Sequence, residues 1–435
     1  MFVRMPPREP RAENHMESVQ ITTLPNGVRV VTDPMPTVES VSVGVWVRAG
    51  ARFEPIETNG VAHLLEHMMF KGTARRTAPQ IAESIENVGG HINAYTAREV
   101  TAYYAKVLKD DAALAVDVIA DILQNSLFDD GELTRERSVV LQEIGQAHDT
   151  PDDVVFDHFQ SVAFPDQPLG RPVLGLADVV GKMPRDVIAG FHGKHYRGGA
   201  LVLAAAGNIS HEALVALGEA HFSDVPAGAP ESFETSSYGG GERSEARDLE
   251  QIHFVMGFEG VPVGTDDYYA LSVLSNLFGG GMSSRLFQEI RERRGLVYSI
   301  DTFLSAYSDG GVFGIYAGTG PDLIEEFVPA LCGEITRLAD SLGADEIARA
   351  RTQLKSSLLM GMESTGARSE RAGQQMLLYD RVVSVAELVE KIDRVTPEML
   401  GDVARRTFAT VPSLATVGPA ADIATFDSIR SRLAA

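Results

Sequence analysis

The strongest constraint on this chain is that one order of hydrophobic periodicities occurs twice. In the first half, the strand-like segments VRVVTD and VSVGVWVRAG precede the helical segments VAHLLEHMMF and APQIAESIENVG, and then HINAYTA and VTAYYAKVL alternate again. Nearly the same order recurs in the second half, in the segments IHFVMGFEG, DYYALSVLSNLFG, SRLFQEIRERRG, VYSIDTFLSA and GVFGIYAG. We therefore predict an α+β fold of two similar domains that arose by internal duplication. Each would be an antiparallel sheet with helices packed on one face.

The boundaries of these domains follow from composition. The segment around residues 225–250 is rich in Pro, Gly, Ser and Glu and has no apolar period, which is typical of a linker. We predict a flexible N-terminal arm over 1–17, a first domain over 18–228, a linker over 229–247 and a second domain over 248–435. The arm lacks the apolar stretch of a secretory signal. No apolar run reaches the roughly 18 residues that cross a bilayer, so we expect no membrane span.

Charge and cysteine content narrow the function classes. The net charge of −22 argues against a nucleic-acid partner, because no basic surface would replace the phosphate counterions. The acidic residues could line a cavity that attracts basic peptides, or they could simply solvate the surface. The single cysteine, Cys332, excludes an intrachain disulfide and a cysteine-rich metal site. Its apolar, helical surroundings favour a buried small side chain over a reactive thiol.

The segment HLLEH, residues 63–67, carries the chemistry of the first half. Within a helix capped by Asn59 and ending near Gly72, His63 and His67 would lie one turn apart on the same face. Two imidazoles and a third ligand, with one position left open for water, form a typical catalytic zinc site. Glu66 lies at the edge of that face and could take a proton from the water. The alternative is a histidine pair that binds no metal.

A second helical segment, residues 134–144, supplies candidate third ligands. Its acids Glu136 and Glu143 are seven residues apart and therefore share one stripe of the helix. One of them could bind the metal while the other braces the site. A solvated charged face is the alternative interpretation of this pair.

These residues resemble a known family. HLLEH with a glutamate 76 positions after the second histidine is similar to the pitrilysin family of inverted-motif zinc peptidases. Within that family, the sequence looks most like the small bacterial members related to the β-subunit of the mitochondrial processing peptidase. The resemblance runs through nearly the whole chain, from LPNGVRVV through GLADVVGKM and FHGKHYRGGALVLAAAGNI into the second half. It implies one Zn²⁺ per chain, bound by His63, His67 and Glu143, with Glu66 as catalytic base and Glu136 as a supporting acid.

The resemblance also implies substrate contacts. GGHINAYT, residues 89–96, is similar to the edge strand on which family members bind their substrate, with Asn93 and Ala94 at the contacts. An extended peptide would add to this edge through backbone hydrogen bonds, although an ordinary hairpin is an alternative. Arg291 and Tyr298 match the family's Arg–Tyr pair, which can donate hydrogen bonds to the peptide or to the developing oxyanion. Without the resemblance they would be a solvated arginine and a strand aromatic.

The resulting expectation is a zinc-dependent endopeptidase that hydrolyses extended or unfolded peptides within a chamber formed by two chains. The second half has no counterpart of HLLEH, so we expect a homodimer in which Arg291 and Tyr298 of one chain complete the site of the other. A different subunit could replace the second copy. A non-catalytic scaffold or partner subunit, and a hydrolase of non-peptide substrates, are the alternatives. We expect residence in the cytoplasm of a bacterium.

Overall fold

The computed structural model describes residues 19–419 and 423–434, so the predicted arm over 1–17 lies outside the described residues. The strands are β1 (Gln20–Thr23), β2 (Arg29–Pro34), β3 (Ser40–Val47), β4 (His91–Thr96), β5 (Thr101–Leu108), β6 (Leu201–Gly207), β7 (Gly241–Ala246), β8 (Ile252–Glu259), β9 (Ser299–Ala306), β10 (Gly311–Thr319) and β11 (Ser413–Gly418).

The helices of the first half are α1 (Val61–Met69), α2 (Ala78–Glu86), α3 (Ala112–Asn125), α4 (Asp130–His148), α5 (Pro151–Ala163), α6 (Ala177–Val180), α7 (Arg185–His195) and α8 (His211–Phe222). Those of the second half are α9 (Asp266–Gly279), α10 (Ile324–Leu338), α11 (Ala344–Gly361), α12 (Thr365–Tyr379), α13 (Val385–Asp393), α14 (Pro397–Phe408) and α15 (Phe426–Leu433). A π-helical segment, Phe287–Arg293, follows α9. None of the described helices combines the length and apolar character needed to cross a bilayer.

The two sheets share one topology. The first has the strand order β1-β2-β6-β3-β5-β4 and the second has β7-β11-β8-β10-β9, so apart from β1 every position corresponds. The predicted α+β duplication is therefore confirmed. The sheets are mixed rather than purely antiparallel, because β2 pairs with β6 and β7 with β11 in parallel. The last strand of each half lies between two antiparallel strands, and a strand in that position must run parallel to one of them.

The expectation of helices on a single face also needs correction. The main helices do pack on one face of each sheet, where Leu64 and Leu65 of α1 join Val43 and Tyr103 in the first core. The opposite face is covered by a helix from the other half: α12 packs on β6, β3 and β2, and α5 packs on β11, β8 and β7. Periodicity shows that a helix is amphipathic but not which sheet it covers.

Glycines allow close contact at α12 and α5, the two exchanged helices, each of which packs on the sheet of the other half. A Cβ on Gly373 of α12 would lie 2.2 Å from the indole of Trp46, and one on Gly257 of β8 would lie 2.5 Å from the ring of Phe159 on α5. In the first half the sheet supplies the aromatic ring, and in the second half the helix does. Both rings are almost fully buried, so each half depends on the other for part of its core.

The predicted linker over 229–247 is wrong in its second part, because residues 241–246 form strand β7. Parallel pairing of β7 with β11 satisfies the backbone whatever the side chains are, and this explains why a segment without an apolar period forms a strand. The other domain boundaries stay predictions. Cys332 is buried at 2% exposure, as predicted, and burial raises the pKa of its thiol to about 11.

Candidate metal centre

Helix α1 presents the two histidines of the motif on one side. Leu64, Leu65 and Met68 are fully buried in the first core, which turns His63 and His67 toward helix α4. The two imidazole rings lie 4.7 Å apart, centre to centre. The amphipathic pattern of α1 therefore determines where the imidazoles point.

The N-terminus of α1 is fixed by a residue that the sequence analysis missed. Gly60, not Asn59, is the cap residue, with a left-handed φ of 96°. The buried carboxylate of Glu54 accepts hydrogen bonds from the backbone N–H groups of Gly60 and Ala62 and from the Asn59 side chain, each at 2.8 Å. Burial raises the pKa of Glu54 to about 7, although these hydrogen bonds and Arg171 oppose the shift. No local spacing rule links Glu54 to a helix that begins seven residues later.

Helix α4 brings the third candidate ligand. Its N-terminus is capped by Asp129, whose side chain accepts from the N–H groups of Gly131 and Glu132. Glu143 Oε2 lies 3.4 Å from His67 Nε2 and 3.7 Å from His63 Nε2. One donor atom from each of these three residues lies within 4.8 Å of the other two.

This donor set fits zinc. Ligands bound at about 2.0–2.1 Å to a tetrahedral zinc ion lie about 3.3–3.4 Å from one another, close to the separations found here. Two imidazole nitrogens and one carboxylate oxygen also form a common catalytic ligand set for zinc. Burial, and secondarily the neighbouring His67, lowers the pKa of His63 to about 4. A neutral imidazole at physiological pH is the form that binds a metal.

Glu136 lies one step outside this group. Its Oε2 is 3.0 Å from His67 Nδ1, and its Oε1 is 2.7 Å from the ammonium of Lys71. Glu136 is buried at 4% exposure. A carboxylate on Nδ1 favours the tautomer whose Nε2 faces the metal position. Of the two acids on the predicted stripe, Glu143 reaches both imidazoles, whereas Glu136 orients one of them from behind.

Glu66 faces a cavity of about 410 Å³ between α1, α2 and β4. Burial raises the pKa of Glu66, and the nearby Glu143 adds to the shift, whereas a hydrogen bond from the Thr96 hydroxyl and the charge of His67 oppose it. The structure therefore puts a carboxylate with increased proton affinity beside the three candidate ligands. Thr96, which the sequence analysis did not select, ties that carboxylate to strand β4.

Asn93 and Ala94 lie in β4, which is the edge strand of the first sheet. Both residues line the cavity beside Glu66. β4 pairs with β5 on one side, and the N–H group of Ala94 donates to the Asn93 side chain at 2.8 Å. The structure thus brings the predicted peptide-binding edge and the candidate metal ligands together.

Arg291 and Tyr298 belong to the second half. The guanidinium of Arg291 lies over the ring of Phe287 at 4.5 Å and 3.7 Å from Glu292. Tyr298 is 75% exposed. Within the part of the chain that the structure describes, no hydrogen bond or ion pair joins either residue to the metal-binding group, and neither lines its cavity. A single chain does not bring this predicted pair to the site.

A helix with His-x-x-Glu-His facing a glutamate on a second helix, in a duplicated α+β fold, defines the class of inverted-motif zinc metallopeptidases. Comparison with known families agrees. Residues 29–176 match the family described as Insulinase (Peptidase family M16), and residues 182–354 match the Peptidase M16 inactive domain. The chain belongs to peptidase family M16, the pitrilysin family.

Similar proteins span almost the whole chain. An uncharacterized zinc protease of Rickettsia felis is 40% identical over 404 residues, which covers 93% of this chain and 98% of that protein. The "Probable mitochondrial-processing peptidase subunit beta" of Arabidopsis thaliana is 38% identical and covers 97% of this chain and 83% of its own length. The crystal structure of a Helicobacter pylori protease has a TM-score of 0.85 at 21% identity, covering 93% of this chain and all of that one, which shows the shared fold.

Proposed function

We propose that the protein is a zinc-dependent endopeptidase that hydrolyses extended or unfolded peptides, with Glu66 as the catalytic base. One observation carries this proposal: the donor atoms of His63, His67 and Glu143 converge beside a cavity that Glu66 and the edge strand β4 share. Zinc protease relatives at about 40% identity support the peptidase activity. The bacterial relatives also motivate our proposal of a bacterial cytoplasmic enzyme.

Each side chain has a distinct task in this chemistry. His63, His67 and Glu143 would hold one Zn²⁺, whose Lewis acidity makes a water molecule more acidic and a peptide carbonyl more electrophilic. Glu66 takes the proton from the attacking water and later delivers it to the leaving amine. The same carboxyl group serves both transfers, because it holds the proton between the two steps. Glu136 keeps His67 in the required orientation.

The peptide would bind by strand addition. The free edge of β4 offers backbone groups at Asn93 and Ala94, which lie beside the cavity that Glu66 faces. Backbone hydrogen bonds to such an edge tolerate many side chains, whereas the adjoining cavity selects among them. Strand pairing requires an extended substrate, so unfolded peptides are preferred over folded proteins.

Arg291 and Tyr298 are proposed to act on the partner's site in a homodimer. Tyr298 is largely exposed, and neither residue contacts the described metal-binding group of its own chain. A guanidinium and a phenol are suitable donors for a peptide carbonyl or an oxyanion. Two chains that face one another would enclose the chamber in which the peptide is cut.

Two experiments test the proposal. A peptide library is digested with and without a chelator, and zinc is measured in the purified protein. Chelator-sensitive cleavage with about one zinc per chain is expected, and a metal-free protein that cuts nothing after zinc is supplied would refute it. For the dimer, Glu66→Gln and Arg291→Ala chains are mixed. About a quarter of wild-type activity should return, because half of random dimers are mixed and each carries one intact site.

A further inference from the structure

A second cavity, of about 260 Å³, lies where the two halves meet. It is lined by the β4–β5 turn with Arg98 and Glu99, by Tyr307 and Ser308 of the β9–β10 turn, and by Arg48. Strand β4 leads directly into it, because Thr96 at the end of the strand binds Glu66 and the turn begins at the next residue. A peptide paired along β4 that continues past Thr96 therefore runs toward the turn that lines this cavity.

Two guanidinium groups in the lining of this cavity keep N–H groups that have no protein acceptor among the described residues. Arg98 donates Nε to the Leu169 carbonyl at 3.2 Å, and this bond holds the side chain while both Nη atoms remain available. The Arg48 guanidinium lies 5.5 Å from the ring centre of Phe233 and makes no hydrogen bond within the described residues. Neither arginine has a carboxylate oxygen within 4.0 Å among those residues. Asp157, which is exposed, lies beyond that distance but still within range of the charge of Arg98.

The acid in the lining is hydrogen-bonded to groups of the protein. Glu99 Oε1 accepts from Arg52 Nη1 and from the Ser308 hydroxyl, both at 2.6 Å, and its Oε2 accepts from the Ser308 N–H at 3.0 Å. Arg52 is buried at 1% exposure and also pairs with both oxygens of Asp309. These bonds join the two turns into one frame. The Glu99 carboxylate is therefore already hydrogen-bonded. The guanidinium groups of Arg48 and Arg98 lie beside two turns that these bonds hold in place.

We propose that this cavity is a subsite for a carboxylate of the bound peptide, with Arg48 and Arg98 as its donors. Planar guanidinium groups match a carboxylate in geometry as well as charge. The side chains of Val100 and Leu377 supply an apolar floor for the carbon atoms beside that carboxylate. The carboxylate comes from a Glu or Asp side chain or from the free C-terminus of a peptide. The inference rests on the proposed peptidase function and assigns a specificity to it.

The position of the preferred acid follows from strand geometry. Paired strands advance together at about 3.3 Å per residue. Arg98 lies four residues after Ala94 along the chain. β4 ends at Thr96 and Arg98 lies in the turn beyond it, so a carboxylate that reaches the guanidinium groups lies more than two residues from the residue paired opposite Ala94. An overall excess of acid in the protein would favour basic peptides, so this local preference for an acid is a distinctive expectation.

The test uses matched peptides built on a neutral sequence that the zinc-loaded protein cuts. Glu is compared with Gln at each position, and a free C-terminus with an amide. One position, or the free terminus alone, should show about a tenfold higher kcat/KM for the carboxylate. Arg48→Gln should lower the ratio, because one of the two donors is lost, and Arg48→Glu should bring it to one or below, because its negative charge opposes the remaining Arg98. Arg349→Glu, an exposed change on α11, should leave it unchanged.

Two outcomes separate this inference from the proposed function. If the neutral peptide is cut in a zinc-dependent manner but every Glu/Gln and acid/amide ratio is near one, the subsite is refuted and the peptidase stands. If nothing is cut, the same matched peptides, each carrying a fluorophore, are titrated against the protein, and equal affinities for all of them refute the subsite as well. Thermal unfolding of both Arg48 variants shows whether either has lost its fold. If Arg48→Glu has, the test of the subsite rests on the Glu/Gln ratio of Arg48→Gln, the milder change.

Discussion

The two halves of the molecule share a strand order, but they differ at the edge strand, where the first half has a cavity beside the candidate metal ligands. In the first half, Glu66 of α1 contacts Thr96 of β4, and beside that contact a cavity lies between the strand and helices α1 and α2. In the second half, α9 packs directly on β9: Ser275 and Thr302 are joined by a 3.1 Å hydrogen bond. A Cβ on Gly279 would come within 2.6 Å of Thr302. Duplication preserved the strand order, whereas among the described residues the candidate metal ligands and the cavity beside them occur in the first half alone.

The first prediction contrasts Glu66 with Ser275, since both contact a threonine of the neighbouring edge strand. Glu66→Gln should lower kcat by about 10²–10⁴-fold, the usual contribution of a general base, and should retain zinc because the three ligands are untouched. Ser275→Ala should leave peptide turnover unchanged. Peptide kinetics and metal analysis of both variants check this. An active Glu66→Gln enzyme would remove the functional distinction between the halves.

The second prediction concerns the exchanged helices. Trp46→Ala and Phe159→Ala each remove a buried ring from the contact between one sheet and the other half's helix. Each change should cost about 3–5 kcal/mol in the free energy of unfolding. Because each half contributes a helix to the other, both variants should still unfold in one transition, measured by denaturant titration with two probes. Separate transitions for the two halves would show that the exchange does not couple them.

The third prediction concerns the buried acid behind the ligands. Glu136→Gln removes the carboxylate on His67 Nδ1 and leaves Lys71 without its partner. Zinc affinity should fall by about 10–100-fold, as is usual when a carboxylate behind a ligating histidine is lost. Competition with a metal indicator measures it. Glu132→Gln, one turn earlier on α4 where the carboxylate pairs with Arg135, serves as the control, and equal affinities in both variants would mean that Glu136 does not orient His67.

The sequence was informative where local geometry decides the outcome. Spacing of four residues in a helix is enough to place His63 and His67 together, and spacing of seven aligns Glu136 with Glu143. The long-range step, which brings α4 to α1, came from family resemblance. Periodicity also predicted the duplicated fold, because the same order of elements must satisfy the same packing rules twice.

The remaining features depend on contacts between distant residues. Nothing in the pattern of α5 or α12 distinguishes its own sheet from the other half's sheet. The Glu54 carboxylate accepts the N–H groups at the start of α1 from across an intervening turn. It therefore takes the place of the cap that was predicted at Asn59. Strand β7 forms from a polar segment because β11 offers it backbone partners. Arg291 and Tyr298 need a second chain to be tested, so their role stays a prediction.

The smallest effect we predict is a pH dependence located in the first half. Ten of the 11 histidines precede residue 222. His195 is buried between Phe53 and Phe191, and its Nδ1 makes no hydrogen bond within the described residues. Burial lowers the pKa of His195 to about 4, with a smaller contribution from Lys194.

The sign follows from linkage. At pH values between the ordinary histidine pKa of about 6.5 and the pKa of His195 in the folded protein, the His195 side chain is protonated in the unfolded chain and neutral in the folded chain. Stability should therefore fall as the pH drops from 7 to 5, with His195 contributing about 1–2 kcal/mol of that loss. His195→Phe keeps a ring between Phe53 and Phe191 but cannot be protonated, so denaturant midpoints of this variant should depend less steeply on pH.

A matched change in the second half sharpens the contrast. His253 also has a pKa lowered by burial, but its ring is half-buried and its Nδ1 lies 2.9 Å from the Tyr316 hydroxyl. His253→Phe should therefore change the pH dependence less than His195→Phe does. If the two variants lose the same slope between pH 7 and pH 5, acid sensitivity is spread over both halves. The greater burial of titratable imidazole in the first half would then have no consequence for stability.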